Sequence, residues 1–209
     1  MVDPFQGVPD PHLDPQRFDA LIEAVGPDAC MVVVKRWMGE ALQRQLTPED
    51  VWQETLLHAW RDREKHAWNG LATYRSWLLS VAKNRIHDLA DQATAQKRGS
   101  GKIATEFSAL VASQSFGISG LLPGRSTTPS VVASYAERAQ RMELALSRLP
   151  TEQEAVVRLH LFEELPMSAV AAQLEVPEAT AWYRFRRGAQ QYARELESVN
   201  ASRRGPPPA

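Results

Sequence analysis

Residues able to do chemistry are present in this chain, but their spacing assembles them for binding rather than for a reaction. His12, His58, His66, His87 and His160 are dispersed, no glycine-rich loop follows a strand pattern, and no nucleophile motif occurs. Cys30 sits beside an apolar stripe, where it reads as buried and inert, and no Cys/His set has metal-ligand spacing. The sequence therefore predicts no catalytic residue, no metal, no cofactor and no small-molecule substrate. Three other sets have the composition of contact surfaces. Asp50, Gln53, Glu54 and Leu57 recur at intervals of three and four, the spacing of one helix face. Lys83, Asn84, Arg85 and His87 put donors and positive charge on another helix, preceded by a loop with Trp68 and Asn69. Thr180, Trp182, Tyr183, Arg184, Arg186 and Arg187 crowd aromatic and cationic groups into a third.

The charge balance separates these sets. The whole chain of 209 residues has a formal net charge of −1. Residues 1–60 carry −6, 61–98 carry +4, 99–133 carry +1, and 134–209 are balanced. An acidic front followed by a basic block suits a chain that meets both a basic protein surface and a polyanion. A single cysteine excludes an internal disulfide, and a reducing cytoplasm is the expected location. No apolar run approaches the roughly 18 residues of a membrane helix, so membrane insertion is not expected. The start, acidic and proline-rich through Asp19, lacks the basic and then apolar order of a secretory signal.

The elements that must position these residues are all helical. Phe18, Leu21, Ile22 and Val25 repeat at helix spacing, and after Gly26-Pro27 so do Met31, Val34, Trp37, Met38 and Leu42. Thr47-Pro48-Glu49-Asp50 starts a helix expected to run to Asp62, with Thr47 as N-cap and two acids against the helix dipole. On its wheel, Asp50, Gln53, Glu54, Leu57 and Arg61 oppose Val51, Trp52, Thr55, Leu56, Ala59 and Trp60. By pattern alone the first face also describes a solvated surface. A further helix is expected from Thr73 to Ala95, with Trp77 on its apolar stripe. Regularity returns at Val131, with helices expected to Leu149, from a Thr151–Glu154 capping box, over Pro166–Leu174, and over Pro177–Ser198. Ala181, Phe185, Gly188 and Tyr192 share one face of the last, and Ala179, Trp182, Tyr183, Arg186 and Gln190 the other. The expected architecture is all-α: two small helical domains, 17–98 and 131–198, joined by a flexible linker over 99–130. A disordered arm, 1–16, and a tail, 199–209, complete it.

The run Asp50-Val51-Trp52-Gln53-Glu54-Thr55-Leu56-Leu57-His58-Ala59-Trp60 resembles the region 2.2 helix of bacterial sigma factors, particularly the extracytoplasmic-function (ECF) group of the sigma-70 family. Tyr74 to Arg85 resembles region 2.3 running into 2.4. Leu146 to Leu161 resembles region 4.1, and Leu165 to Tyr192 the helix-turn-helix of region 4.2. The segment from Thr128 to Arg141 is similar to an ECF subgroup of planctomycete-type bacteria. The resemblance implies a non-enzymatic transcription initiation factor. It implies that Asp50, Gln53, Glu54 and Leu57 dock on RNA polymerase core. It implies that Trp68, Asn69, Lys83, Asn84, Arg85 and His87 serve the minus-ten element, whose melted strand calls for cationic grooves and base pockets. It implies that Trp182, Arg186 and Arg187, with Tyr183, face the minus-thirty-five element, Thr180 and Arg184 taking phosphate or structural roles. An anti-sigma factor is an expected partner.

The sequence also departs from that family pattern. Asp91-Gln92-Ala93-Thr94-Ala95-Gln96 delays the basic pair Lys97-Arg98, and Trp182 stands where a basic residue is usual. Glu175 occupies a turn position where glycine is typical, at a cost of about 1 kcal/mol if left-handed. Two alternatives remain at this level: a helix-turn-helix regulator that does not program polymerase, and a sigma-like interaction module that has lost promoter reading.

Overall fold

The computed structural model describes residues 4–98 and 128–204. Every regular element among them is helical. The chain divides into two compact units, Met1–Ala136 and Glu137–Ala209. The expected linker over 99–130 lies largely outside the described residues.

In the first unit, α1 (Phe18–Val25) buries the four apolar residues of its stripe and stops at Gly26, whose φ of 77° is readily adopted by glycine. Pro27 then opens α2 (Pro27–Trp37), which is buried through Cys30–Val34. After the single turn α3 (Glu40–Gln43), Thr47 caps α4 (Pro48–Arg61). Its hydroxyl accepts from the Asp50 N–H at 3.2 Å, and the Asp50 carboxylate accepts from the Thr47 N–H at 2.8 Å. This reciprocal box satisfies two backbone donors that a helix start leaves open. α5 (Leu71–Arg98) begins after Gly70, φ 89°, and extends beyond the expected Thr73–Ala95 at both ends. Val34, Met38, Leu42, Leu46, Val51, Ala82, Ile86 and Leu89 form a core cluster drawn from α2 to α5 and the α3–α4 connection. Trp52 and Leu56, both 0% exposed, anchor α4, each worth about 2–3 kcal/mol of burial.

The arm differs from its expected disorder. Four prolines suggest fraying, yet Phe5, Pro11 and His12 are buried. Prolines exclude a helix here without excluding packing, and the arm carries two aromatic rings with an aromatic surface to cover.

The second unit holds most of α6 (Pro129–Leu146), then α7 (Thr151–Val157), a wide π-type turn over Arg158–Phe162, α8 (Met167–Gln173) and α9 (Glu178–Arg204). The boundary falls inside α6 because Tyr135 belongs to the first unit, its hydroxyl bonded to the Glu23 carboxylate at 2.7 Å. The expected capping box at Thr151 does not form. Pro150 takes the N-cap in an extended conformation, so Thr151 is already helical and its side chain is out of position. The tail is also shorter than expected, since α9 continues to Arg204 and buries Val199. Glu175 does adopt the left-handed turn, at φ 54°. Val156, Leu159, Met167, Val170, Ala171 and Ala181 form the core, with Phe185 packed against it. Gly188 allows α9 to approach α7: a Cβ there would lie 2.8 Å from Val157 Cγ2 and 3.2 Å from the Gln153 carbonyl oxygen.

Candidate functional site

The outer side of α4 presents Asp50, Gln53 and Glu54 as half-buried polar residues. Asp50 is partly engaged by its cap. Leu57 corrects the helical-wheel expectation: it is only 4% exposed. Its side chain is therefore packed within the unit rather than standing out on the polar face.

Arg85 on α5 reaches the Glu54 carboxylate at 3.5 Å and Asp88 at 3.1 Å. Its side chain keeps 18% of its exposure and that of Glu54 15%, so both charges are largely turned into the protein. His58 lies 3.9 Å from the same Glu54 carboxylate. Burial holds its pKa below the ordinary histidine value, the Arg85 charge adds to this, and Glu54 only partly opposes it. Arg85, expected at the minus-ten DNA, is thus engaged with Glu54 and Asp88 in this structure. It joins the α4 face to α5. Lys83, Asn84 and His87 are exposed and share one ridge of α5 with Ser76 and Ser80. The Lys83 ammonium lies 5.7 Å from the centre of the Trp37 ring.

The loop 66–70 leads into that helix through an aromatic cluster. His66 stacks on Trp77 with ring centroids 4.3 Å apart and planes 17° apart. Trp68 lies parallel to His12 at 5.8 Å and 14°, meets Phe5 edge-on at 6.2 Å, and contacts Tyr74 at 5.7 Å. Asn69 is exposed, its amide donating to the Ala67 carbonyl at 3.3 Å. Trp77 was expected in the core but is half-buried, with His66 forming its outer cover. Burial lowers the His66 pKa, and the His12 charge lowers it further. Burial raises the Tyr74 phenol well above its ordinary value. Sequence reasoning took His66 as the start of the loop running to Thr73 but missed Phe5 and His12; the available sign was that these two are the aromatic rings of the arm.

In the second unit, α9 turns Ala181 and Gly188 inward, with Tyr192 further along, and leaves Ala179, Trp182, Tyr183, Arg186 and Gln190 exposed, the division its periodicity predicts. Trp182 is 39% exposed and Tyr183 59%. Trp182 leans on His160 and Phe185, both edge-on, so its orientation is supported. Arg187 donates to the Tyr183 hydroxyl at 2.8 Å. Arg184 is half-buried and paired with Glu152 at 2.9 Å, which ties α9 to α7, while Thr180 is half-buried near the helix start. Behind this surface, Arg158 is 7% exposed and donates to both Glu143 oxygens at 2.7 and 3.0 Å and to Glu154 at 2.8 Å. Burial opposes its charge, but the bonds to Glu143 and Glu154 outweigh it and raise the pKa. This network was not legible in the sequence.

Among the described residues no group of histidine, cysteine or acidic side chains could hold a metal, and no helix is long and apolar enough to cross a membrane. The family model described as Sigma-70 region 2 matches residues 21–96, which contain α4, the aromatic loop and nearly all of α5. That described as Sigma-70, region 4 matches residues 139–191, which contain α7, α8 and the exposed ridge of α9. The chain belongs to the sigma-70 family. Both regions place it in the ECF type and give this sigma factor a role in transcription initiation, through RNA polymerase core and promoter DNA. No curated protein and no solved structure matches the chain. The segment Pro4–Gln16, which covers Trp68, precedes the residues matched to sigma region 2.

Proposed function

We propose that this sigma factor directs promoter-specific initiation without catalytic chemistry of its own, working in the cytoplasm. The outer side of α4, with Asp50, Gln53 and Glu54, docks on polymerase core. The loop at Trp68 and Asn69 and the α5 ridge of Lys83, Asn84 and His87 take up the melted minus-ten strand. Arg85 acts indirectly by holding Glu54. The α9 ridge enters the major groove of the minus-thirty-five element, Arg186 and Arg187 reaching base edges or phosphates while Trp182 and Tyr183 supply apolar contact. Thr180 and Arg184 secure the helix start and its attachment to α7.

The observation that carries this reading is the pairing of a region 2 match with a region 4 match on one chain, the second presenting an aromatic and cationic ridge. A helix-turn-helix regulator acting alone would need no region 2. Among the described residues few exposed cations lie on either ridge proposed to meet DNA. Each phosphate neutralised contributes a slope of about −0.9 in log K against log salt on duplex DNA, so the free chain binds promoter weakly. Tethering both readers to one polymerase raises the effective concentration of each. An anti-sigma factor that covers the α4 face completes the proposal.

The test is binding of the purified protein to core polymerase beside a Gln53→Ala, Glu54→Ala double variant. Tight binding by the native chain and at least tenfold weaker binding by the variant are expected. Equal affinity would remove α4 as the docking face, and no binding by folded native protein would leave a regulator that acts on duplex DNA.

A further inference from the structure

We infer that the N-terminal segment Pro4–Gln16, through His12 and Phe5, positions the 66–70 loop for base capture. This rests on the proposed role of that loop at the minus-ten strand. His12 is 1% exposed and bonds across 54 residues to the His66 carbonyl oxygen at 2.9 Å. A carbonyl only accepts, so His12 Nε2 carries the proton and donates. The same ring lies parallel to the Trp68 indole, while Phe5, 7% exposed, meets that indole edge-on. One arm residue thus holds both the backbone of the loop at 66 and its side chain at 68.

From α5 the loop is held by the His66 stack on Trp77 and by Trp68 against Tyr74, while its remaining residues are less engaged. Ala67 and Asn69 are exposed, Gly70 has a positive φ, and the Asn69 amide bond to Ala67 is long at 3.3 Å. Ala67 and Asn69 therefore depend on how the ring-bearing residues beside them are held, and a base pocket built on the loop needs placement to a fraction of an ångström. The geometry also separates positioning from occlusion. The arm covers a face of Trp68 and leaves Asn69 exposed, so it does not cap the polar group that would meet a base. Trp68 is accordingly the anchor of the loop and Asn69 its reading residue. The arm precedes residues 21–96, the span matched to region 2.

The experiment uses holoenzyme assembled with cognate core polymerase and a fluorescein-labelled single-stranded DNA pool randomised over the length of a minus-ten element. Bound strands are sequenced, and base enrichment is compared for the native chain, His12→Ala, His12→Gln, Phe5→Ala and Asn69→Ala. His12→Ala should reduce enrichment roughly fivefold, the equivalent of one hydrogen bond, at the strand position that Asn69→Ala also flattens. His12→Gln, which keeps a donor, should recover part of it, and Phe5→Ala should weaken the same position less. Core affinity and helical content should stay at native values in all four. Enrichment that survives His12→Ala and Phe5→Ala but falls in Asn69→Ala would overturn the positioning role while sparing the loop. Tighter strand binding on loss of His12 would overturn it in favour of a cap. No response to Asn69→Ala would remove the loop from the site, and this inference with it.

Discussion

The two units hold the residues proposed to meet DNA differently, because only the first adds a loop to its helix ridge. On α9 the residues stand on one ridge of a regular helix, and four of them, Trp182, Tyr183, Arg186 and Arg187, are exposed. In the first unit Lys83, Asn84 and His87 also stand on an exposed helix ridge, but the loop residue Trp68 is held by groups far away in sequence, His12 and Phe5. The contrast fits what each would read. A duplex groove accepts a preformed helix, whose side-chain directions follow from backbone periodicity alone. An unstacked base needs a shaped loop, and a short loop keeps its shape only through contacts that come from elsewhere.

The largest expected effect tests how far the second unit depends on its buried network. Arg158→Ala leaves Glu143 and Glu154 facing each other without the guanidinium that joins them. Removing one partner of a buried charged network costs about 3 kcal/mol or more. Thermal unfolding followed by probes in each unit should show the second unit melting earlier and the first unchanged. Equal loss in both would mean that the units do not unfold separately. Gly188→Ala follows in size. The added methyl meets Val157 Cγ2 at 2.8 Å with the Gln153 backbone behind it, an overpacking that costs about 1–3 kcal/mol. Denaturant midpoints should fall, and minus-thirty-five binding should weaken in proportion to lost fold. Full stability in this variant would show that α9 can shift away from α7 freely.

Arg85 sharpens the comparison directly. If it acts through Glu54, Arg85→Ala should lower core affinity several-fold and leave base preference on single-stranded DNA unchanged. Arg186→Ala should do the reverse, weakening minus-thirty-five binding with core affinity intact. The stability change at Arg85 should be smaller than at Arg158, because its contact with Glu54 is long at 3.5 Å and its other partner, Asp88, is exposed. Loss of strand preference on Arg85→Ala, with core binding intact, would return this residue to the DNA surface.

What was legible in the sequence follows the same division. The face of α9, the cap at Thr47 and the left-handed turn at Glu175 are local features, fixed by spacing of three and four residues or by one backbone angle. They could be read without knowing what packs where. Leu57 could not, because its burial depends on tertiary packing that the spacing along α4 does not contain. Trp77 was misplaced for a related reason: its spacing is that of a core residue, but its outer cover is a histidine from the preceding loop. The arm was the largest omission. Four prolines give a correct statement about helix formation and say nothing of whether Phe5 and His12 find a surface. The Arg158 network joins residues 15 and 4 positions away, and only the fold distinguishes it from ordinary surface charge.

Acid is the gentlest way to probe the first unit, because two of its histidines are held below their ordinary pKa. For His66 the causes are burial and then the His12 charge; for His58 they are burial and then Arg85. The unfolded chain, with histidines near 6.5, therefore takes up protons before the folded chain does. Stability falls as pH falls whenever the unfolded state binds more protons. The contribution is complete above about pH 6.5 and is lost as pH drops toward the depressed folded values. Both rings keep some solvent access, so the expected slope is a fraction of a proton for each. Chemical denaturation of the first unit at pH 7.5, 6.5 and 5.5 should show a decline that His66→Phe reduces, since phenylalanine keeps the stack on Trp77 and cannot titrate. An identical slope in native protein and variant would place the acid sensitivity elsewhere and leave the stack against Trp77 a packing contact alone.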